Sequence, residues 1–267
     1  NTAIGHTRYS TTGTSNIKNA QPIIVDGENF KLGIAHNGNV VNSLELKRDL
    51  EELGQDFNTS SDSEVIAKIV ASAPATTWEA RIAYLMRKVQ GAYSLTLMTE
   101  KELIAVRDPL GVRPLCFGSV NGGWIIASES CALDNVGAKF VREVNPGEAI
   151  IFDSNGFKSI YQKDMGKCSF CVFEHIYFAR PDSEIDGKLV YKSRLLMGKE
   201  LAREHPVEAD MVIGVPDSAT ASAVGYSEES GIPFGEGLVK NRYVGRTFIN
   251  PDQRMREVGV KVKLNPL

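Results

Sequence analysis

The sequence predicts an α+β domain followed by an α/β one: an αββα sandwich over residues 1–165, then the start of a parallel-sheet domain over residues 166–267. Three observations lead there. A chain of 267 residues exceeds one average domain. Helix-like periodicities are bunched between residues 42 and 89, and short strand patterns broken by turn signals follow to residue 161. That order suits two antiparallel sheets packed face to face with helices outside. Beyond residue 165 an amphipathic helix, a short apolar run and a small-residue helix succeed one another, as in a parallel α/β unit.

Residues 4–10 read as a strand, and residues 22–25 with 30–36 as a hairpin turned at Asp26-Gly27. A helix is expected from about residue 42 to 53. Leu46, Leu50 and Leu53 share a face, Asn42 or Ser43 caps its start, and Gly54 stops it. Ser61-x-x-Glu64 is a capping box for a second helix. Thr76-x-x-Glu79 opens a third, with Trp78, Ile82, Leu85 and Val89 on its buried face and Gly91 at its end. Strands are expected at 93–99, 103–107, 115–120, 124–128, 139–144, 149–152 and 158–161, with Asn121-Gly122 and Asn155-Gly156 as turns. Arg107-Asp108-Pro109-Leu110-Gly111-Val112-Arg113-Pro114 is too polar and proline-rich for a strand; Arg–Asp bonding is expected to shape this loop.

Near residue 165 the character changes. Cys168-x-x-Cys171 is a lone pair, half of a tetrahedral metal site, and its plain reading is two semi-buried thiols. A helix is expected at 190–204, with Leu195, Leu196 and Leu201 apolar and Pro206 as its stop. Met211-Val212-Ile213-Gly214-Val215 has the composition of a buried parallel strand. It empties into Pro216-Asp217-Ser218-Ala219-Thr220 and a helix running to Gly231, and N–H groups at such a helix start are a ready anion site. No Walker pattern is present.

Composition narrows the class. Hydrophobic content of 42% with 24% charged residues is that of a globular protein, and no apolar run has the length of a membrane span. Four cysteines without a framework pattern, and no secretory leader, suggest a reducing, cytoplasmic setting. In that setting the Asn58-Thr59-Ser60 sequon is only a loop. Net charge is −3, yet residues 240–263 hold Lys240, Arg242, Arg246, Arg254, Arg256, Lys261 and Lys263 against Asp252 and Glu257. An end carrying about +5 calls for an anionic partner. With only Tyr243 and Phe248 interleaved, a phosphorylated small molecule fits better than nucleic acid, and no membrane partner is expected. The chain opens at Asn1 without Met and stops at Asn265-Pro266-Leu267, so a fragment is expected.

Two residue groups carry candidate chemistry. The strand leading to His36 is expected to break at Asn37-Gly38, where the backbone changes direction. Asn-Gly is the strongest short hairpin signal. An Asn amide with the next N–H also makes an oxyanion hole, and the residues alone leave both readings open. Asp62 likewise either favours a positive helix start or holds a ligand ammonium there.

Gly5-His6-Thr7-Arg8-Tyr9-Ser10-Thr11, Ala35-His36-Asn37-Gly38-Asn39 and Ser60-Ser61-Asp62-Ser63-Glu64 together, in order and interval, resemble the glutaminase domain of class II (N-terminal nucleophile) glutamine amidotransferases. The resemblance implies that Arg8 pairs with the substrate carboxylate, Asp62 holds its ammonium and Thr11 helps line the pocket. Asn37 and the Gly38 N–H would stabilise the oxyanion. The nucleophile, an N-terminal cysteine whose own amine is the base, is expected ahead of Asn1.

The segment from Cys171 to Ser183 resembles the junction of the glutamine phosphoribosylpyrophosphate amidotransferases, the branch that opens de novo purine synthesis. In its iron–sulfur-bearing forms a Cys at the place of Cys171 is a [4Fe–4S] ligand, though forms without a cluster also carry Cys there. The run through Asp217 and Ser218 resembles the start of a type I phosphoribosyltransferase domain facing pyrophosphate and its Mg²⁺, with Ser218 at the place of a metal contact. Lys240-Asn241-Arg242-Tyr243-Val244-Gly245-Arg246-Thr247-Phe248 resembles that domain's mobile closing loop. Lys240, Arg242 and Arg246 have no acid among them, so without a phosphate ligand the segment is expected to be mobile or held open.

The resemblance spans residue 4 to about 264. It implies that ammonia from glutamine passes internally to displace pyrophosphate from phosphoribosylpyrophosphate, giving 5-phosphoribosylamine. Purine nucleotides as feedback inhibitors and a homo-oligomer are further implications. The acidic Asp-Asp loop that binds the ribose is expected beyond Leu267. Thr12, where sugar-making relatives carry His, speaks against that branch. The rival readings are a non-catalytic module binding glutamine or nucleotides, and another class II amidotransferase. The Lys240 to Phe248 word speaks against the second.

Overall fold

A computed structural model describes residues 2–7, 16–153, 155–161, 168–245, 247 and 252–267. Arg8, Thr11, Thr12, Arg246 and Phe248 lie outside the described residues. The chain divides into two compact units, Asn1–Cys171 and Val172–Leu267.

The first unit follows the order β1 (Ile23–Asp26), β2 (Lys31–Val40), α1 (Ser43–Glu52), α2 (Asp62–Ala71), α3 (Trp78–Lys88), β3 (Gly91–Met98) and β4 (Leu103–Arg107). It continues with β5 (Cys116–Val120), β6 (Gly123–Ala127), α4 (Ser130–Asn135), β7 (Lys139–Glu143), β8 (Glu148–Asp153) and β9 (Gly156–Tyr161). Among the described residues six strands form one antiparallel sheet in the order β1-β2-β3-β4-β8-β9, and three form a second, β6-β5-β7.

Strand alternation builds the layers. Ile104 and Val106 of β4, with Ala149 and Ile151 of β8, face the core under the first three helices; Leu46, Leu50, Ile66, Ile69, Ile82 and Leu85 meet them there. Their neighbours Ala105, Ile150 and Phe152 face the other way and pack on Phe117 of the second sheet and on Leu115 and Val144 at its strand ends. Behind that sheet, Cys116 packs with Leu133 of α4 and Ala138. Helices, sheet, sheet and helix make the expected αββα sandwich. Ile66 has no exposed surface, and truncating such a side chain to Ala costs about 2–5 kcal/mol.

Several local expectations change. Residues 4–7 form no strand. β2 runs unbroken through Asn37-Gly38, pairing Asn37 with Ser94 and Gly38 with Tyr93. Ladder pairing with β3 overrides the turn signal there. Asn121 and Gly122, with φ of 49° and 77°, do make the left-handed turn between β5 and β6. Leu53 is the exposed C-cap of α1 rather than a core residue. Asn42 stands at the N-cap of α1 as expected, but its side chain makes no capping bond; its amide bonds the Lys88 carbonyl and the Gln90 N–H. Ser61 caps α2 through the Ser63 N–H, whereas Glu64 turns back to the N–H groups of Asn58 and Thr59, so the capping box is only half made.

In the second unit come β10 (Glu184–Ile185), β11 (Lys188–Leu189), α5 (Val190–Glu204), α6 (Thr220–Ser230), β12 (Leu238–Lys240), α7 (Gln253–Lys263) and β13 (Leu264–Pro266). α5 packs on α6: Ser222 Oγ donates to the Arg194 carbonyl at 3.0 Å, and Tyr226 to that of His205 at 2.9 Å. The buried Arg194 guanidinium donates to the carbonyls of His175 and Ala179 at 2.7 and 2.8 Å. Met211 to Val215 keeps the expected parallel geometry only as one bridge, Val212 to Phe234, with Met211, Ile213 and Val215 about half exposed.

Candidate functional site

The site begins where β1 stops. β1 accompanies β2 only from Lys31 to Ile34, so among the described residues the outer edge of β2 has no neighbouring strand from Ala35 onward. Antiparallel alternation directs the N–H groups of His36, Gly38 and Val40 to that edge. Gln21 Oε1 accepts the His36 N–H at 2.7 Å, and Gln21 Nε2 donates to the His36 carbonyl at 3.4 Å. A side-chain amide thus replaces a strand residue. The Val40 N–H is taken by Asp62 Oδ2 at 3.0 Å, from the first residue of α2. Between these two satisfied neighbours the Gly38 N–H faces outward. No other residue fits at 38, because a Cβ there would lie 2.0 Å from the Ala92 carbonyl oxygen on β3.

Asn37 projects to the opposite face from His36. Its Oδ1 accepts from Arg113 Nη2 at 3.3 Å. Arg113 belongs to the polar loop after β4, and that loop is not shaped by Arg–Asp bonding as expected. Instead the Asp108 carboxylate accepts the N–H groups of Tyr93, Leu110 and Val112. Arg107 reaches the carbonyls of Gly111, Arg113 and Val144 and the Glu143 carboxylate. Both charges are spent on the loop and its surroundings rather than on each other, since the loop's buried peptide groups need partners.

Asp62 is buried, at 6% exposure. Its Oδ1 stands 3.8 Å from His36 Nδ1, which lies 3.1 Å from Ser63 Oγ. Burial pulls the His36 imidazole below its ordinary 6.5; the Asp62 charge and the Ala92 carbonyl oppose this, and the His6 charge adds to it. Asn37, Gly38 and Asp62 are therefore gathered along ten residues of one strand and the helix start beside it. Arg8 and Thr11 fall outside the described residues.

In the second unit Lys240, at the end of β12, ion-pairs with Asp217. The expectation that Lys240 stands without an acidic partner is thereby corrected: the acid comes from the loop ahead of α6, 23 residues upstream. Ser218 is half-buried beside Asp217, and Arg242 is exposed. Cys171 is half-buried, its N–H donating to the Val112 carbonyl at 3.2 Å, and Cys168 is exposed. Among the described residues no three His, Cys, Asp or Glu side chains gather to hold a metal. Burial first, then the Glu143 charge, pushes the Cys116 thiol up to about 12, so it is inert.

The sequence motifs identified Asn37, Gly38 and Asp62 but assigned nothing to Gln21, His36, Ser94 or Arg113. Only the polar character of the 107–114 loop hinted at the last.

Residues 6–135 match the glutamine amidotransferase domain family. The chain is 49% identical over 266 residues to the chloroplastic amidophosphoribosyltransferase 1 of Arabidopsis thaliana, covering 99% of this chain and 47% of that protein. It is 47% identical over 264 residues to the amidophosphoribosyltransferase of Archaeoglobus fulgidus, covering 98% and 58%. The solved glutamine phosphoribosylpyrophosphate amidotransferase of B. subtilis, complexed with ADP and GMP, superimposes with a TM-score of 0.87 at 46% identity, over 98% of this chain and 57% of that one. The chain spans about half the length of the curated relatives it matches.

Proposed function

We propose that the chain belongs to the amidophosphoribosyltransferase family, as its similarity to those enzymes supports, with residues 1–165 as its glutaminase domain and residues 166–267 as the junction and first part of its phosphoribosyltransferase domain. The whole enzyme takes ammonia from glutamine and transfers it to phosphoribosylpyrophosphate, giving 5-phosphoribosylamine, glutamate and pyrophosphate.

The observation that carries the reading is the edge of β2. One outward N–H, that of Gly38, follows directly on the Asn37 amide, and its two outward neighbours are already bonded to Gln21 and Asp62. Attack on an amide carbon puts negative charge on one oxygen, and donors fixed beforehand stabilise it without reorganising. Losing one such donor costs about 3–4 kcal/mol of barrier. In this reading the attacking thiol belongs to an N-terminal cysteine ahead of Asn1. Arg8 holds the glutamine carboxylate as a bidentate fork, Thr11 lines the pocket, and Asp62 takes the ammonium.

On the phosphoribosyl side, Lys240, Arg242 and Arg246 bind the phosphates, and Asp217 faces the pyrophosphate through its Mg²⁺. Mg²⁺, if bound with the substrate, would supply charge neutralisation for the departing pyrophosphate. Asp217 and Ser218 are oxygen donors of the hard kind it takes, and a single carboxylate suffices because Mg²⁺ draws most ligands from phosphate and water. A [4Fe–4S] cluster is a different matter. Cys116 and Cys131 are buried in the sandwich; Cys171 would be one ligand of such a cluster, and the remaining thiolates would come from beyond Leu267. A relative solved with ADP and GMP supports purine nucleotides as regulators here too. Among the described residues no helix is long and apolar enough to cross a membrane; a cytoplasmic homo-oligomer is the setting we propose.

The test uses protein extended to the N-terminal cysteine and follows ammonia release and 5-phosphoribosylamine. Asn37→Ala is expected to lower kcat about 100- to 1,000-fold with little change in the glutamine KM. A raised KM with kcat spared would return Asn37-Gly38 to a purely structural role. Glutamine binding without ammonia release would favour a non-catalytic module.

A further inference from the structure

We propose that Arg113 is a positioning residue for amide hydrolysis: it fixes which end of the Asn37 carboxamide faces the reacting oxygen. The proposal rests on the glutaminase reading above. An Asn side chain acts as an oxyanion donor only when its nitrogen, not its oxygen, faces the developing charge. The two ends are nearly the same size, so packing alone discriminates poorly between them. A guanidinium has five N–H donors and no acceptor. Whatever Arg113 holds on Asn37 must therefore be Oδ1, and the 3.3 Å contact from Nη2 is to that atom. With Oδ1 tied back, Nδ2 is the end left for substrate.

Arg113 is itself held in place. Its backbone carbonyl accepts from Ser94 Oγ at 3.1 Å and from Arg107 Nε at 2.9 Å. Ser94 is the residue directly opposite Asn37 in the β2–β3 ladder. The same pair of strands thus carries the donor and anchors the residue that orients it. Asp108 ties the loop to β3 through the Tyr93 N–H, one residue before Ser94. Every one of these anchors is a backbone atom at position 113 or a neighbouring residue, so replacing the Arg113 side chain leaves them standing.

The experiment is a double-mutant cycle in protein extended to the N-terminal cysteine, with glutamine hydrolysis as the readout. Arg113→Met is expected to lower kcat about 10- to 100-fold while the glutamine KM stays within about twofold. Millimolar guanidinium should restore part of the loss. In the Asn37→Ala background the same substitution should cost nothing further, because no carboxamide remains to be oriented. Losses that multiply, or a KM effect with kcat spared, would overturn the role of Arg113 while leaving the glutaminase reading intact. Wild-type kcat in Asn37→Ala would sink the oxyanion reading itself, and this proposal with it. Should Arg113→Met fail to give a cooperative thermal unfolding transition, Arg113→Lys replaces it in the cycle. Lysine keeps the charge but lacks the fork, so a partial kcat loss, again absent in the Asn37→Ala background, is expected.

Discussion

Gly38 is constrained from two sides: its N–H faces the outer edge of β2, and its missing side chain lets the Ala92 carbonyl come close. Gly38→Ala should therefore push β2 from β3 just where Asn37 sits, costing about 1–3 kcal/mol in urea unfolding and most of the glutaminase kcat. His36 makes a second test. Its pKa is lowered on folding, so its contribution to stability is full above about pH 6.5 and is lost as pH falls through the folded value. His175, also lowered by burial, adds the same sign. The measurement is thus a difference: between about pH 7.5 and 5.5, the fall in Tm should be shallower in His36→Gln than in wild type. Equal slopes would refute a buried neutral imidazole. Asn37 and Asp62 were readable because short motifs carry them. Arg113 was not, because its contact spans 76 residues and depends on which residue of β3 stands opposite Asn37.

Elements were readable where periodicity and burial agree. The helices over the large sheet and most strands lie close to their expected places, since their apolar faces are what the sheet buries. The failures differ in cause, and in one of them tertiary pairing overrode a local signal. The ladder with β3 carried β2 straight through an Asn-Gly pair. The run Met211 to Val215, apolar enough for a buried strand, has a single bridge. α7 was hidden by its charges, although Met255, Val258 and Val262 repeat at helical spacing and Asp252 caps it through the Met255 N–H. The Asp217–Lys240 ion pair makes a prediction at this scale. Phosphoribosylpyrophosphate with Mg²⁺ should slow tryptic cleavage after Lys240 and Arg242, and Asp217→Ala should speed cleavage after Lys240 without ligand. Equal cleavage with and without ligand would refute closure of this segment over phosphate.

At the scale of the whole chain, the change of character near residue 165 was legible in composition. The detail of the second unit was not, because its buried side chains are mostly small, such as Ala202, Ala221 and Ala223, and leave little periodic signal. The units should differ in how firmly they hold their amides. Hydrogen exchange is expected to be slowest in β3 and β4, central in the six-stranded sheet and buried against α2 and α3. It should be fast along α7, where no residue is buried. Protection of α7 equal to that of β3 would show that it is covered in solution.

The covered edge of β2 has a consequence beyond catalysis. A strand edge with a row of free N–H groups recruits other chains and seeds aggregation. Here Gln21 and Asp62 take the His36 and Val40 donors, so among the described residues Gly38 offers a passing peptide one N–H instead of a repeating set. This stretch accepts one oxygen and refuses a strand. Gln21→Ala would open a second donor beside the first, and the variant should self-associate more readily in light scattering during refolding than Gln21→Glu, which keeps an acceptor at the His36 N–H.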